Sequence, residues 1–285
     1  MIKIKNLTYH YDLNQTPVIA ELSLEIKTNE YVALVGPNGS GKTTLIRHLN
    51  GLLLPNKGDI WIDDLNTKEP ALLPQIRQKV GMVFQNPDHQ IVGTTVEEDV
   101  AFGPGNLNLS PSEIRQRVDQ ALEQVGLSRH LKSASHALSG GEKQLLALAG
   151  VLAMQPSYVA FDEPTSHLDP LARKNILQVL MDLNGRGMTI IHVTHNMDEI
   201  IQAGRILVMD QGKLILDGTP AAVFSHMEWL QKIGLDVPKI NALVLHLRRM
   251  GLELRADILD LDEACRELYR LIKPDHSNEV QISKV

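Results

Sequence analysis

The sequence predicts an α/β fold, with an antiparallel β-layer beside the core and a helical insertion within it. Three observations carry that prediction. Short apolar runs at 31–35 (YVALV), 79–85 (KVGMVFQ), 158–161 (YVAF) and 188–193 (MTIIHV) read as buried strands, with stretches of helical period between them. Ile2 and Ile4, then Leu22, Leu24 and Ile26, mark two strands of period two separated by the polar turn YDLNQTP. The octapeptide GPNGSGKT, 36–43, stands between the first buried run and TLIRHLNGLL, whose apolar residues recur at helical spacing.

That octapeptide is a glycine-rich strand-to-helix loop. Such a loop aims several backbone N–H groups at one spot, and the helix behind it adds about half a positive charge there. The spot suits phosphate. Gly36, Gly39 and Gly41 let the backbone close around a β-phosphate, and Lys42 reaches the β and γ oxygens. The Thr43 hydroxyl can ligate Mg²⁺, and Thr44 is a further phosphate contact. With Pro37, Asn38 and Ser40 between them, these residues form the expected nucleotide cradle.

Composition sets the bounds. A chain of 285 residues can build one large domain, or a large domain with an appendage. A hydrophobic content of 43% with 22% charged residues is that of a soluble globular protein, and a net charge of -6 argues against a surface that coats nucleic acid. The single cysteine, Cys265, cannot close an internal disulfide and reads as a small half-buried apolar residue in a reducing compartment. The longest uncharged apolar run, 145–154 (LLALAGVLAM), is too short to span a bilayer, and MIKIKNLTYH is no signal peptide. Any membrane role is therefore expected to run through partner subunits.

Tyr11 is expected in the first β-layer, either stacking on an adenine or half-buried as a strand tyrosine. GDIWIDD is another alternating strand, with Trp61 as packing, and Gln85 ends the next strand. From 86 to 107, proline and glycine breakers and the acidic cluster Glu97, Glu98 and Asp99 read as a loop with a short helical piece. Ser110 with Glu113 predicts a capping box and Pro111 a first helical residue, with Ile114, Val118, Ala121, Leu122 and Val125 on one face. The stretch 88–137 is thus mostly helical.

Gly140 and Gly141 open a long apolar helix. By themselves they are either a turn before a core helix or a second set of free N–H groups for an anion. Asp162 and Glu163 end the 158–161 strand, where one carboxylate can hold Mg²⁺ and the other act on the attacking water. The loop SHLD and a helix at 170–183 follow. Thr194 and His195 end the next strand; His195 reads as a donor to a γ-phosphate or its water, and His192 completes no zinc set with it. Two short strands joined by Gln211-Gly212 close the region.

Motifs in this order and at these spacings resemble the ATP-binding subunits of ABC transporters, a likeness that runs over residues 2–225. The resemblance implies a P-loop NTPase core that hydrolyses ATP with Mg²⁺. Tyr11 looks like the adenine-stacking aromatic and Gly36 to Thr43 like the Walker A loop. Gln85 is similar to the Q-loop glutamine, near both metal and water, and LSGGE, 138–142, to the signature. Asp162 matches the Walker B magnesium aspartate, Glu163 the catalytic base, SHLD the D-loop and His195 the switch histidine. In the family, the signature serine and glycines, here Ser139, Gly140 and Gly141, face the ATP of a second subunit. One Walker A then implies a homodimer, or a heterodimer with a paralogous ATPase.

Three residues depart from the pattern: Glu142 in place of glutamine, Leu145 in place of a basic residue and His167 in place of alanine or glycine. Glu142 brings a carboxylate toward a phosphate cluster, so a slowed or pH-sensitive ATPase is expected. FQNPDHQIVGTTVEEDVAFGPGNL and AGVLAMQP look most like energy-coupling-factor transporters. In those, two such ATPases drive a transmembrane coupling protein and a small membrane substrate-binding protein, importing vitamins, cobalt or nickel. The expected place is peripheral, on the cytoplasmic face of the cell membrane.

The expected domains are an ATPase domain at 1–225, with a helical subdomain at about 88–155, and a C-terminal helical region at 226–285 that reinforces the dimer. In that region Asp260 and Glu263 cap a helix presenting Leu261, Ala264, Leu268 and Leu271, with a frayed end at 274–285. An ordinary binding-protein-dependent importer is the nearer alternative function. A soluble ATPase acting on DNA or ribosomes is the remoter one, because 85–138 has no room for a long coiled coil and there is one Walker A.

Overall fold

The computed structural model describes residues 1–272 apart from 13, 15 and 256. The expected turn YDLNQTP therefore lies partly, and the expected frayed end wholly, outside the described residues.

The N-terminal part runs β1 (Ile2–Tyr9), β2 (Ile19–Ile26), β3 (Tyr31–Val35), α1 (Lys42–Leu49), β4 (Lys57–Ile62) and β5 (Leu65–Asn66). The alternating segments pair as an antiparallel sheet in the order β2-β1-β4-β5, with Ile4 opposite Leu24 and Ile60. The continuous apolar runs go elsewhere. Together with β6 (Val80–Val83), β7 (Tyr158–Asp162), β8 (Thr189–Val193), β9 (Arg205–Asp210) and β10 (Lys213–Gly218), β3 builds a sheet in the order β10-β9-β3-β8-β7-β6. It is parallel except for β10.

All five residues of β3 are buried because both faces of this sheet are covered. Val32 and Leu34 join the layer of α1 and the antiparallel sheet, packing with Leu45, Ile46 and Leu49. Tyr31, Ala33 and Val35 join the opposite layer with α3 (Val96–Gly105), α4 (Pro111–Gln124), α5 (Gly140–Leu152) and α6 (Pro170–Gly185). Helix α1 thus lies between the two sheets, with its N-terminus at the carboxyl edge of β3.

The helical insertion differs in detail from expectation. The short helical piece is α3, opened by a full capping box between Thr95 and Glu98. At α4 the box is only half formed: Glu113 N–H donates to Ser110 Oγ at 3.3 Å, while the Glu113 carboxylate turns to Arg117 at 2.8 Å. The helix still buries Val118, Ala121 and Leu122, as its period requires.

Past β10, α7 (Pro220–Phe224) and α8 (Met227–Lys232) contribute Phe224, Met227 and Leu230 to the main core. Helices α9 (Lys239–Arg249) and α10 (Leu261–Ile272) enclose a small separate cluster of Val244, Leu254, Ile258 and Ala264. The Glu263 N–H donates to Asp260 at 2.8 Å, which is the expected cap. The expected apolar face is only half used, since Ala264 and Leu268 pack inward but Leu261 and Leu271 are exposed. Cys265, expected half-buried, is exposed. Trp61 is half-buried, with the Lys5 ammonium 5.3 Å from its ring centroid. Among the described residues, no helix is long and apolar enough to cross a membrane.

Candidate active site

The site begins where β3 ends. A Cβ on Gly36 would lie 2.2 Å from the Met209 carbonyl oxygen, so only glycine lets the loop pass under β9. Gly41, at φ +101°, closes the loop and stands as N-cap of α1 with no side-chain cap. The first N–H groups of α1 therefore remain available to an anion. Ser40 Oγ is buried and, among the described residues, finds no hydrogen-bond partner. Lys42 lies along the loop, its Nζ donating to the carbonyls of Gly36 at 2.7 Å and Pro37 at 2.9 Å. Burial lowers the Lys42 pKa, against the opposing pull of the Glu163 and Asp162 carboxylates.

β7 delivers Asp162 next to this loop, where its Oδ1 accepts from Thr43 Oγ1 at 2.9 Å. Burial raises the Asp162 pKa, with the Thr43 hydrogen bond and the Arg47 charge working against it. One residue on, Glu163 takes a left-handed backbone, φ +50°, the kind of local strain that functional sites retain. Three loops meet at its Oε2. Ser166 Oγ donates at 3.0 Å, Gln85 Nε2 donates at 3.4 Å, and His195 Nδ1 lies 3.3 Å away. Residues spread over more than a hundred positions of sequence thus converge on one carboxylate oxygen.

Tyr11 is not in the β-layer. It follows the end of β1, 59% exposed, with its hydroxyl 3.1 Å from Thr44 Oγ1 and its ring edge-on to Tyr9 at 5.1 Å. The half-buried strand tyrosine is thereby excluded, and a free aromatic surface stands beside the first turn of α1.

Ser139, Gly140 and Gly141 stand apart from this cluster. Ser139 is the N-cap of α5, and the glycines face Leu168 and Ala172; a Cβ on Gly141 would lie 2.7 Å from that of Ala172. Glu142 does not project outward. Its Oε2 accepts from the Ser139 N–H at 2.9 Å and hydroxyl at 2.7 Å, and its Oε1 is 3.3 Å from His130 Nε2. The two Ser139 bonds hold its pKa below the usual carboxylate value. Leu145 packs partly against the main core, so an apolar residue suits that position. His167 is exposed at φ +68°, a conformation that a glycine takes at lower cost.

Sequence reasoning missed the groups behind the site. Glu199 is buried and gathers Thr165, Thr194 and Asn196. Gln144, 3% exposed on α5, donates to the Phe84 carbonyl at 3.0 Å, which fixes the backbone just before Gln85. Glu199 lies in no motif that its neighbours in sequence reveal, whereas Gln144 follows the LSGGE signature by two positions and could have been found there.

Known proteins match this arrangement. A family described as ABC transporter matches residues 19–166. A cobalt import ATP-binding protein of Syntrophus aciditrophicus is 50% identical over 268 residues, 94% of this chain and 96% of the relative. An energy-coupling factor transporter ATP-binding protein of Clostridium novyi is 46% identical over 275 residues, 95% of this chain and 98% of the relative. Among solved structures, CbiO1 of Clostridium perfringens, described as part of an ABC transporter complex, superposes with a TM-score of 0.74 at 37% identity. It covers 85% of this chain and 97% of its own. A dimeric ATP-binding cassette in a post-hydrolysis state with ADP and Pi gives a TM-score of 0.69 at 31% identity, covering 77% of this chain and 98% of its own. The chain belongs to the ABC transporter ATP-binding proteins, within the group of energy-coupling-factor and cobalt-import ATPases, and is an ATP-hydrolysing subunit of that kind.

Proposed function

We propose that this chain energises an importer for a vitamin or for cobalt or nickel ions. It works as a dimer, with itself or a paralogue, on a transmembrane coupling subunit that serves a small membrane substrate-binding subunit. Its place is peripheral, on the cytoplasmic membrane face. The observation that carries the catalytic part is the convergence of Ser166, Gln85 and His195 on Glu163 Oε2.

The residues divide the work as follows. Gly36, Pro37, Asn38, Gly39, Ser40 and Gly41 turn backbone N–H groups toward the phosphates, Lys42 spans the β and γ groups, Thr44 adds a hydroxyl and Tyr11 stacks on the adenine. Thr43 and Asp162, whose oxygens lie 2.9 Å apart, with Gln85 offer the all-oxygen donor set that suits Mg²⁺. Once bound there, Mg²⁺ would neutralise charge on the β and γ oxygens. Glu163 takes a proton from water as the water oxygen bonds to the γ-phosphorus and the bond to the bridging oxygen breaks, leaving ADP and inorganic phosphate. His195 steadies the γ-phosphate side. Ser139, Gly140 and Gly141 lie at the N-terminus of α5, and its free N–H groups would meet the partner's ATP when two chains close on two nucleotides.

An apolar groove beside the Q-loop supports a membrane partner. It encloses about 340 Å³ between Leu52, Phe84, Val92, Phe102 and Met154, with Val92 62% and Phe102 61% exposed. Asp99 holds its rim by accepting from the N–H groups of Val92 at 2.7 Å and Gly93 at 2.9 Å. The test is to solubilise host membranes mildly, purify this chain and identify its companions by mass spectrometry. A multi-span coupling protein with a small membrane subunit is expected; a chain recovered only from soluble fractions would overturn the transport role.

A further inference from the structure

We infer that Glu199 is a positioning residue for hydrolysis, clamping the two loops that hold Glu163 in place. This rests on the role proposed above for Glu163. Glu199 lies in the short turn after β8 and is 6% exposed, and burying a carboxylate costs several kcal/mol unless donors compensate. The donors come from two separate segments. Thr165 Oγ1 lies 2.9 and 2.8 Å from the two carboxylate oxygens. Thr194 Oγ1 donates to Oε2 at 2.9 Å, Asn196 Nδ2 to Oε1 at 3.3 Å, and Arg173 Nε stands 3.5 Å from Oε1.

The register of these contacts gives the clamp its meaning. Thr165 immediately precedes Ser166, and Thr194 immediately precedes His195; Ser166 and His195 are two of the three groups at Glu163 Oε2. Glu199 therefore grips each loop one residue before the side chain that meets Glu163. Without it, Ser166 and His195 are free to shift relative to each other, and a misplacement of about 1 Å in such a constellation costs on the order of a hundredfold in rate. The phosphate loop makes none of these contacts, so ATP binding is separable from them. Arg173, on the first turns of α6, extends the clamp to the helix that follows the SHLD loop.

The experiment compares Glu199→Ala, Glu199→Gln and the pair Thr165→Val with Thr194→Val against the natural chain, in the assembled transporter. Turnover, KM and the affinity for a fluorescent ATP analogue are measured, with Glu163→Gln alongside. Glu199→Ala is expected to lower kcat at least tenfold with analogue affinity within twofold, and Glu199→Gln to recover part of the loss by keeping one acceptor. In the Glu163→Gln background, Glu199→Ala should cost little more, because the two act through one step. Should Glu199→Ala fail to fold, the threonine pair decides: lost kcat at unchanged affinity supports the clamp, and natural turnover overturns it. Natural turnover in the Glu199 variants beside an inactive Glu163→Gln would sink this inference alone. An active Glu163→Gln would instead remove the base it rests on.

Discussion

Replacing Glu142 by glutamine should move stability and function in opposite directions. The carboxylate closes the capping box of α5, accepting from both the N–H and the hydroxyl of Ser139, and sits in the first turn of a 13-residue helix. A capping interaction contributes about 1 kcal/mol, and a negative charge at a helix N-terminus about 0.3–1 kcal/mol. Glutamine keeps an acceptor for the box but gives up the charge and the His130 pairing, so Glu142→Gln should cost roughly 0.5–1 kcal/mol, or about 1–4 °C in Tm. The same charge opposes the positive end of α5, which the proposed dimer presents to the partner's phosphates. Removing it should tighten ATP-driven dimerisation two- to fivefold, about 0.4–1 kcal/mol of regained attraction. Differential scanning fluorimetry and sedimentation of the Glu163→Gln background with ATP read the two effects separately. A variant that is more stable, or whose dimer is no tighter, would refute the reasoning.

His192 is wholly buried, and burial pushes its pKa from 6.5 down to about 4, so it folds neutral. Its contribution is complete above about pH 6.5; as pH falls toward 4 the unfolded chain takes up a proton that the folded one refuses, which costs up to about 3 kcal/mol. Urea unfolding of His192→Gln between pH 7 and 4 should show a shallower loss of stability than the natural chain, and equal slopes would contradict the assignment. Tyr11→Ala should raise KM for ATP several-fold with kcat nearly unchanged, whereas Tyr11→Phe, which loses only the Thr44 contact, should stay within twofold; steady-state kinetics separates ring from hydroxyl.

The parts of the fold that are local were legible in the sequence. The phosphate loop needs only a strand, its glycines and a helix in succession, and β3 followed by α1 supplies them within about twenty residues. The five-residue buried runs of β3, β7 and β8 follow from coverage on both faces. Where tertiary contacts decide, the sequence was mute. The short helical piece expected between 86 and 107 is α3, but its start is not legible, because the prolines and glycines around Thr95 and Glu98 obscure their capping-box spacing. Glu142 reads as a carboxylate aimed at phosphate until the N-cap geometry turns it back on Ser139. Tyr11 falls just beyond β1, where strand alternation has ended. Leu261 has the right helical phase in α10 yet lies outward, while Ile258 and Ala264 take the buried places of the small cluster. Glu199 follows His195 by four positions, and nothing in that spacing announces a buried hub.

The most direct test of the central claim is single-turnover hydrolysis by Glu163→Gln, with its association state read in the same sample. The variant should bind ATP as the natural chain does, hydrolyse it at least about a hundredfold more slowly, as removal of a general base requires, and accumulate as a nucleotide-loaded dimer. Hydrolysis at the natural rate would contradict the account, because the carboxylate on which Gln85, Ser166 and His195 converge would then not be the group that activates water.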